Sequence, residues 1–130
     1  MATPCNIAIA INGGYRSIYC HHDGYPSYML PMLKNNYNTF EKAEALVNEG
    51  DASSVQAKLA PVDPIAHSEP NFPHEKDVCV FYCRDMHEPY SRVAPIFGTK
   101  QSTVQPHEFT YIFEDGKWKA YNRNGDVIAE

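Results

Sequence analysis

The stretch NIAIAINGGYRSIYCHHDGYPSYML, Asn6 to Leu30, contains two strands, two turns and the start of a helix. Ile7, Ile9 and Ile11 alternate with small or polar residues, the period-two pattern of a half-buried strand. Asn12-Gly13-Gly14 is a hairpin turn sequence, because its residues tolerate positive φ. Tyr15 to Cys20 returns as the second strand, with Arg16, Ile18 and Cys20 on one face and Tyr15, Ser17 and Tyr19 on the other. Asp23-Gly24 turns the chain again. Pro26 suits a first helical turn, where a missing N–H is harmless. The spacing of Met29, Met32 and Leu33 predicts a short helix from Tyr28 to Asn36, with Pro31 as its awkward residue.

Outward from there the elements continue. Asn38-Thr39-Phe40-Glu41 reads as an N-cap followed three residues later by a glutamate. Phe40, Ala43, Leu46 and Val47 form an apolar helical stripe, and Gly50 closes it. Asp51 to Leu59 reads as a further short helix, capped near Asp51 or Ser53. Pro61 to Lys76 carries four prolines and reads as an exposed loop. Asp77 to Arg84 reads as a strand, and Asp85 to Pro106 as irregular chain with a short strand around Val93 to Phe97. Glu108–Phe113, Lys117–Tyr121 and Val127–Ile128 form a meander turned by Asp115-Gly116 and Asn124-Gly125. The expected fold is therefore α+β. An antiparallel sheet, made of the N-terminal hairpin and the C-terminal meander, is packed by two or three short helices. A length of 130 residues fits a single domain, residues 1–130.

Hydrophobic residues are 43% and charged residues 21% of the chain, a soluble globular composition. The N-terminus lacks the basic and long apolar regions of a signal peptide, and no window is apolar enough to span a bilayer. A cytoplasmic protein with no membrane partner is expected. A net charge of −5 argues against nucleic acid as a primary partner but leaves room for one small anion held by one or two arginines. Cys5, Cys20, Cys79 and Cys83 are expected to be reduced in such a compartment.

Chemistry concentrates in Ser17 to Leu30. Cys20, His21, His22 and Asp23 are competent metal ligands, but adjacent strand residues point to opposite faces. Cys79 and Cys83 would stand about 13 Å apart along an extended strand. No metal set is assigned. No catalytic group or cofactor is assigned either, because no G-x-S-x-G, P-loop or G-x-G-x-x-G motif is present. A ligand pocket fits better. Strand-end polar groups with flanking aromatics can hold a planar ligand, and arginines can grip phosphate or carboxylate. The candidate ligand-binding residues are Arg16, Tyr19, His21, Asp23, Tyr25, Tyr28 and Arg84.

Met1-Ala2-Thr3, the first strand to Ile11, and Arg16-Ser17-Ile18-Tyr19-Cys20-His21-His22-Asp23-Gly24-Tyr25 resemble a group of small phage- and prophage-encoded accessory proteins. The likeness continues through Glu41-Lys42 and Gly50-Asp51-Ala52-Ser53-Ser54. It covers the first half well and the C-terminal strands loosely. The position after His21, often tryptophan in that group, is His22 here, so no stacking role is carried over to it. The resemblance supplies a context rather than a mechanism: accessory genes whose small products disable host defences in the bacterial cytoplasm. Three functions follow. One is sequestration of a small anionic, nucleotide-like ligand. Another is inhibition of a host defence protein, in the manner of an anti-CRISPR, through the long loops with Phe72, Met86, Tyr90 and Phe97 as anchors. A third is a small hydrolase using a cysteine or histidine. A homo-oligomer is compatible with an exposed sheet edge.

Overall fold

A computed structural model describes residues 3–11, 13–62, 76–98 and 109–130. The first hairpin forms as its alternation requires. β1 (Cys5–Ile11) pairs antiparallel with β2 (Gly14–Cys20), placing Ile7 opposite Ile18 and Cys5 opposite Cys20. α1 follows at Pro26–Asn36, two residues earlier than the sequence spacing predicts, with Pro26 in the first turn. Pro31 lies inside this helix on its exposed side. The carbonyl of Ser27, left without its i+4 donor, is also on the exposed side, where water can satisfy it.

α2 spans Phe40–Asn48. Its N-cap is Thr39 rather than Asn38, and the Thr39 hydroxyl accepts from the Lys42 N–H at 3.2 Å. Ala43, Leu46 and Val47 are fully buried, whereas Phe40, the fourth member of the expected stripe, is 38% exposed. Gly50 ends the helix at φ +90°, and a Cβ there would meet the Val93 carbonyl at 2.6 Å.

The remaining elements are β3 (Ala52–Ser54), β4 (Val80–Phe81), α3 (Tyr82–Met86), α4 (Tyr90–Val93), β5 (Ile96–Gly98), β6 (Phe109–Glu114), β7 (Lys117–Tyr121) and β8 (Val127–Ala129). The strand order is β4-β3-β2-β1-β6-β7-β8, with β5 on the same edge of β2 that β3 uses further along. The fold is α+β, as expected, but two features of the expected architecture are corrected. The sheet is mixed: β1 runs parallel to β6, and β2 parallel to β3. Four helices stand among the described residues instead of two or three.

Both differences trace to particular tertiary contacts. The segment expected to be a helix at Asp51 to Leu59 begins as strand β3. Its Ala52 is fully buried opposite Cys20 on one side and Phe81 on the other. Tertiary burial of a small residue overrides the capping signal of Asp51 and Ser53. Once β3 is a strand, α1 and α2 become a crossover between two parallel strands, a connection that needs a dozen or more residues. The strand expected over Asp77 to Arg84 stops at Phe81. There the buried Asp85 carboxylate accepts the Phe81 N–H at 2.8 Å and turns the chain into α3. Cys79 and Cys83 therefore do not share one extended strand. Most of the proline-rich loop, the segment 99–106, His67, Phe72 and His74 lie outside the described residues.

The core lies between α1–α2 and one face of the sheet. Ile7, Ile9, Ile18, Tyr111, Phe113 and Trp118 meet Met29, Leu33, Ala43, Leu46 and Val47. The Trp118 indole N–H donates to the Tyr37 carbonyl at 2.7 Å, and Tyr37 passes its hydroxyl to the Gln56 carbonyl at 2.7 Å. The opposite face carries a smaller cluster of Ala8, Ile112 and Tyr121, with Tyr15 against it. No helix among the described residues is long and apolar enough to cross a membrane.

Candidate functional site

The stretch from Tyr19 to Tyr25 is a strand running into a turn, and several of its backbone N–H groups are committed. The His21 N–H donates to the Ala52 carbonyl and the His22 N–H to the Ser53 carbonyl, both at 3.0 Å. Asp23 adopts φ +59°, and the Gly24 N–H donates to the Thr3 carbonyl at 2.7 Å. These bonds extend the β2–β3 ladder past Cys20 and hold both imidazoles at the end of the strand.

Strand alternation then sorts the side chains. Cys20 is fully buried on the helix-covered face, its thiol donating to the His22 carbonyl at 3.5 Å. Tyr19 and His21 fall on the opposite face. The Tyr19 hydroxyl and His21 Nδ1 are 2.6 Å apart. The His22 ring meets the His21 ring edge-on, with centroids 4.6 Å apart. Burial raises the Tyr19 phenol above its ordinary value, so this hydroxyl keeps its proton at neutral pH. With Tyr19 as the donor, Nδ1 accepts and the ring proton of neutral His21 sits on Nε2, a hydrogen-bond donor directed away from Tyr19.

Three further residues join this face, none of them singled out in the sequence as site residues. Asp51 Oδ1 accepts the Tyr19 backbone N–H at 2.9 Å. Desolvation raises the Asp51 carboxyl above the ordinary aspartate value, and the Tyr19 N–H partly offsets that. Ser53 falls beside His21 in the β2–β3 register, and Tyr82 follows Phe81, the partner of Ala52 on the far side of β3. The signal for them was Gly50-Asp51-Ala52-Ser53: as a strand, its alternation puts Asp51 and Ser53 beside Tyr19 and His21, whereas as a helix start it does not.

The other candidates divide. Tyr25 is exposed and packs at 6.0 Å from Tyr28. Tyr28 itself is engaged in architecture. Its hydroxyl donates to the Val55 carbonyl and the Gln56 side-chain oxygen, each at 3.0 Å, and burial pushes its pKa up to about 12. Asp23 occupies the turn beside Tyr28. Arg16 lies on the helix-covered face, opposite Ile9 and Phe97, at the far end of β2 from His21. Arg84 is also not brought to the site. All five of its N–H groups have partners within the chain: Asp85, Glu49, and the carbonyls of Leu59 and Cys79. Its guanidinium also lies 4.9 Å from the Phe81 ring centroid.

No group of three or more metal-ligating side chains gathers among the described residues. A separate cleft of about 320 Å³ opens between α1, α2 and the segment after β3, lined by Tyr37, Glu41, Lys42, Ala45 and Leu59. It contains none of the candidate residues. Comparison with family models, with curated proteins and with solved structures returned no match.

Proposed function

We propose that this chain is a non-enzymatic binding protein of the phage accessory type, holding a small anionic, nucleotide-like ligand at the β2–β3 end. The observation that supports this most is the 2.6 Å contact between the Tyr19 hydroxyl and His21 Nδ1. It orients one imidazole so that Nε2 is turned away from Tyr19, with the His22 ring edge-on beside it. Imidazole N–H groups would meet the anion, and tyrosine rings would meet the planar part. Neither arginine takes part in the site, so imidazole N–H groups stand in for guanidinium donors.

Thermal-shift measurements with cyclic dinucleotides and cyclic ADP-ribose variants test it. At least one compound is expected to raise the Tm of the wild-type protein, with the rise abolished in His21→Ala and reduced in Tyr19→Phe. No shift with any of them counts against the ligand.

A second reading rests on a different observation. Met86, Tyr90, Ile96 and Phe97 are all exposed large apolar residues within twelve positions, and Ile96 reaches 64%. Such a cluster suits a protein partner, here an inhibited host defence protein. Ile96→Ser with Phe97→Ser is then expected to lose a co-purifying host protein while leaving the fold intact.

A further inference from the structure

Beneath the Asp23-Gly24 turn lie two thiols that the ligand reading does not use. Cys5 and Cys20 are directly opposed in the β1–β2 register. Both are fully buried on the helix-covered face. Opposed residues in antiparallel strands have Cα atoms about 4.5–5.5 Å apart, inside the roughly 4.4–6.8 Å range of disulfides. Both are free thiols in the structure.

The turn seals them. A Cβ at Gly24 would stand 2.7 Å from Cys5 Cβ, 3.0 Å from its sulfur and 2.6 Å from the Thr3 carbonyl. Only glycine lets the backbone lie this close. The turn is held down by the Gly24 N–H on Thr3 and by the Tyr111 hydroxyl, which donates to the Gly24 carbonyl. The thiols are thus placed to join each other and shielded from anything else until the turn lifts.

We propose that Cys5 and Cys20 are an oxidation site that closes to a cross-strand disulfide when the Asp23-Gly24 turn opens to a low-molecular-weight disulfide oxidant. One cysteine loses its proton to solvent and attacks the oxidant, forming a mixed disulfide and releasing one thiolate. The second cysteine loses its proton and displaces the other thiolate. Two S–H bonds are lost and one S–S bond forms, while the oxidant is reduced to two thiols. The product ties β1 to the strand that carries Tyr19 and His21. The inference stands apart from the identity of any ligand.

The full-length protein is incubated with oxidised glutathione in a Cys83→Ser background, which removes the partly exposed thiol. The expected product has lost two hydrogens by intact mass, and its peptide map links the Cys5 and Cys20 fragments. Its Tm exceeds that of the reduced form by on the order of 10 °C. Cys5→Ser and Cys20→Ser each abolish the product; Cys79→Ser does not. Tyr111→Phe, which releases one restraint on the turn, speeds its formation several-fold; Gly24→Ala is a second, harsher way to displace the turn. A link that involves Cys79, a glutathione adduct that never resolves, or no reaction at oxidant levels where the protein stays folded overturns the proposal.

Discussion

At the scale of single residues, two polar groups on the open face of the sheet are out of balance with their surroundings. Thr110 is fully buried, and its hydroxyl finds no hydrogen-bond partner among the described residues. A buried hydroxyl without a partner has lost water and gained nothing. Thr110→Val keeps the branched shape and the strand preference, so urea unfolding is expected to show stability unchanged or raised by up to about 1 kcal/mol. Asp51 has the opposite character, since its carboxyl is used but partly desolvated. Its folded-state pKa is raised, so the native state holds the proton more tightly than the unfolded chain does. Stability therefore falls as pH rises from the unfolded aspartate value of 3.8 through the folded value, and the loss persists above it. Asp51→Asn keeps an acceptor for the Tyr19 N–H and removes the titration. Unfolding measured across the acid range is expected to show a flatter pH dependence for the variant, with its relative advantage largest at neutral pH.

At the scale of elements, α3 shows why a five-residue helix can stop a strand. It has no long apolar stripe and no side-chain N-cap of its own. It is held by Arg84 and Asp85, adjacent residues that reach back to Phe81, Cys79, Leu59 and Glu49. Asp85 is nearly fully buried, and both of its carboxylate oxygens accept from the guanidinium beside it. Lysine would keep the charge but cannot reproduce the planar fork of donors. Arg84→Lys is expected to lower stability by about 2 kcal/mol in urea titration. The same element shortens a strand that the sequence predicts to be longer. DVCVFYCR has the composition of a strand, and its β-branched and aromatic residues favour one. What ends the strand is a carboxylate four residues beyond Phe81 together with an arginine whose partners lie as far away as Glu49 and Leu59. No local pattern contains those partners.

At the scale of the whole molecule, the sheet is joined at its middle by a pairing between the N-terminal hairpin and the C-terminal strands. β1 lies beside β6, with Cys5 opposite Phe109 and Ile9 opposite Phe113. The C-terminal strands also supply Tyr111, Phe113, Trp118 and Ala120 to the main core. A chain ending before Phe109 keeps the hairpin and both long helices but leaves their shared face open. Calorimetry of such a truncation is expected to show no cooperative transition, because the core is one unit and not two halves. Pairing across so long a loop also places folding on the slow side, milliseconds to seconds, for a domain of this size.

Local physics in the chain alone determined the first hairpin, α2 and the C-terminal meander. Each is specified by neighbours: period-two isoleucines across a glycine turn, an apolar helical stripe closed by Gly50, and alternation around Asp115-Gly116. The α+β class follows from those elements, and so does the placement of Tyr19 and His21 on one face. The tertiary structure decided the rest. It made Ala52–Ser54 a strand, because Ala52 fills a gap between Cys20 and Phe81 that no sequence window reveals. That strand turned two helices into a parallel crossover, brought Asp51, Ser53 and Tyr82 to the candidate site, and left Arg16 and Arg84 away from it. Propensity and periodicity act over a few residues, whereas the occupant of a given edge of the sheet is chosen by burial and hydrogen bonding between segments tens of residues apart.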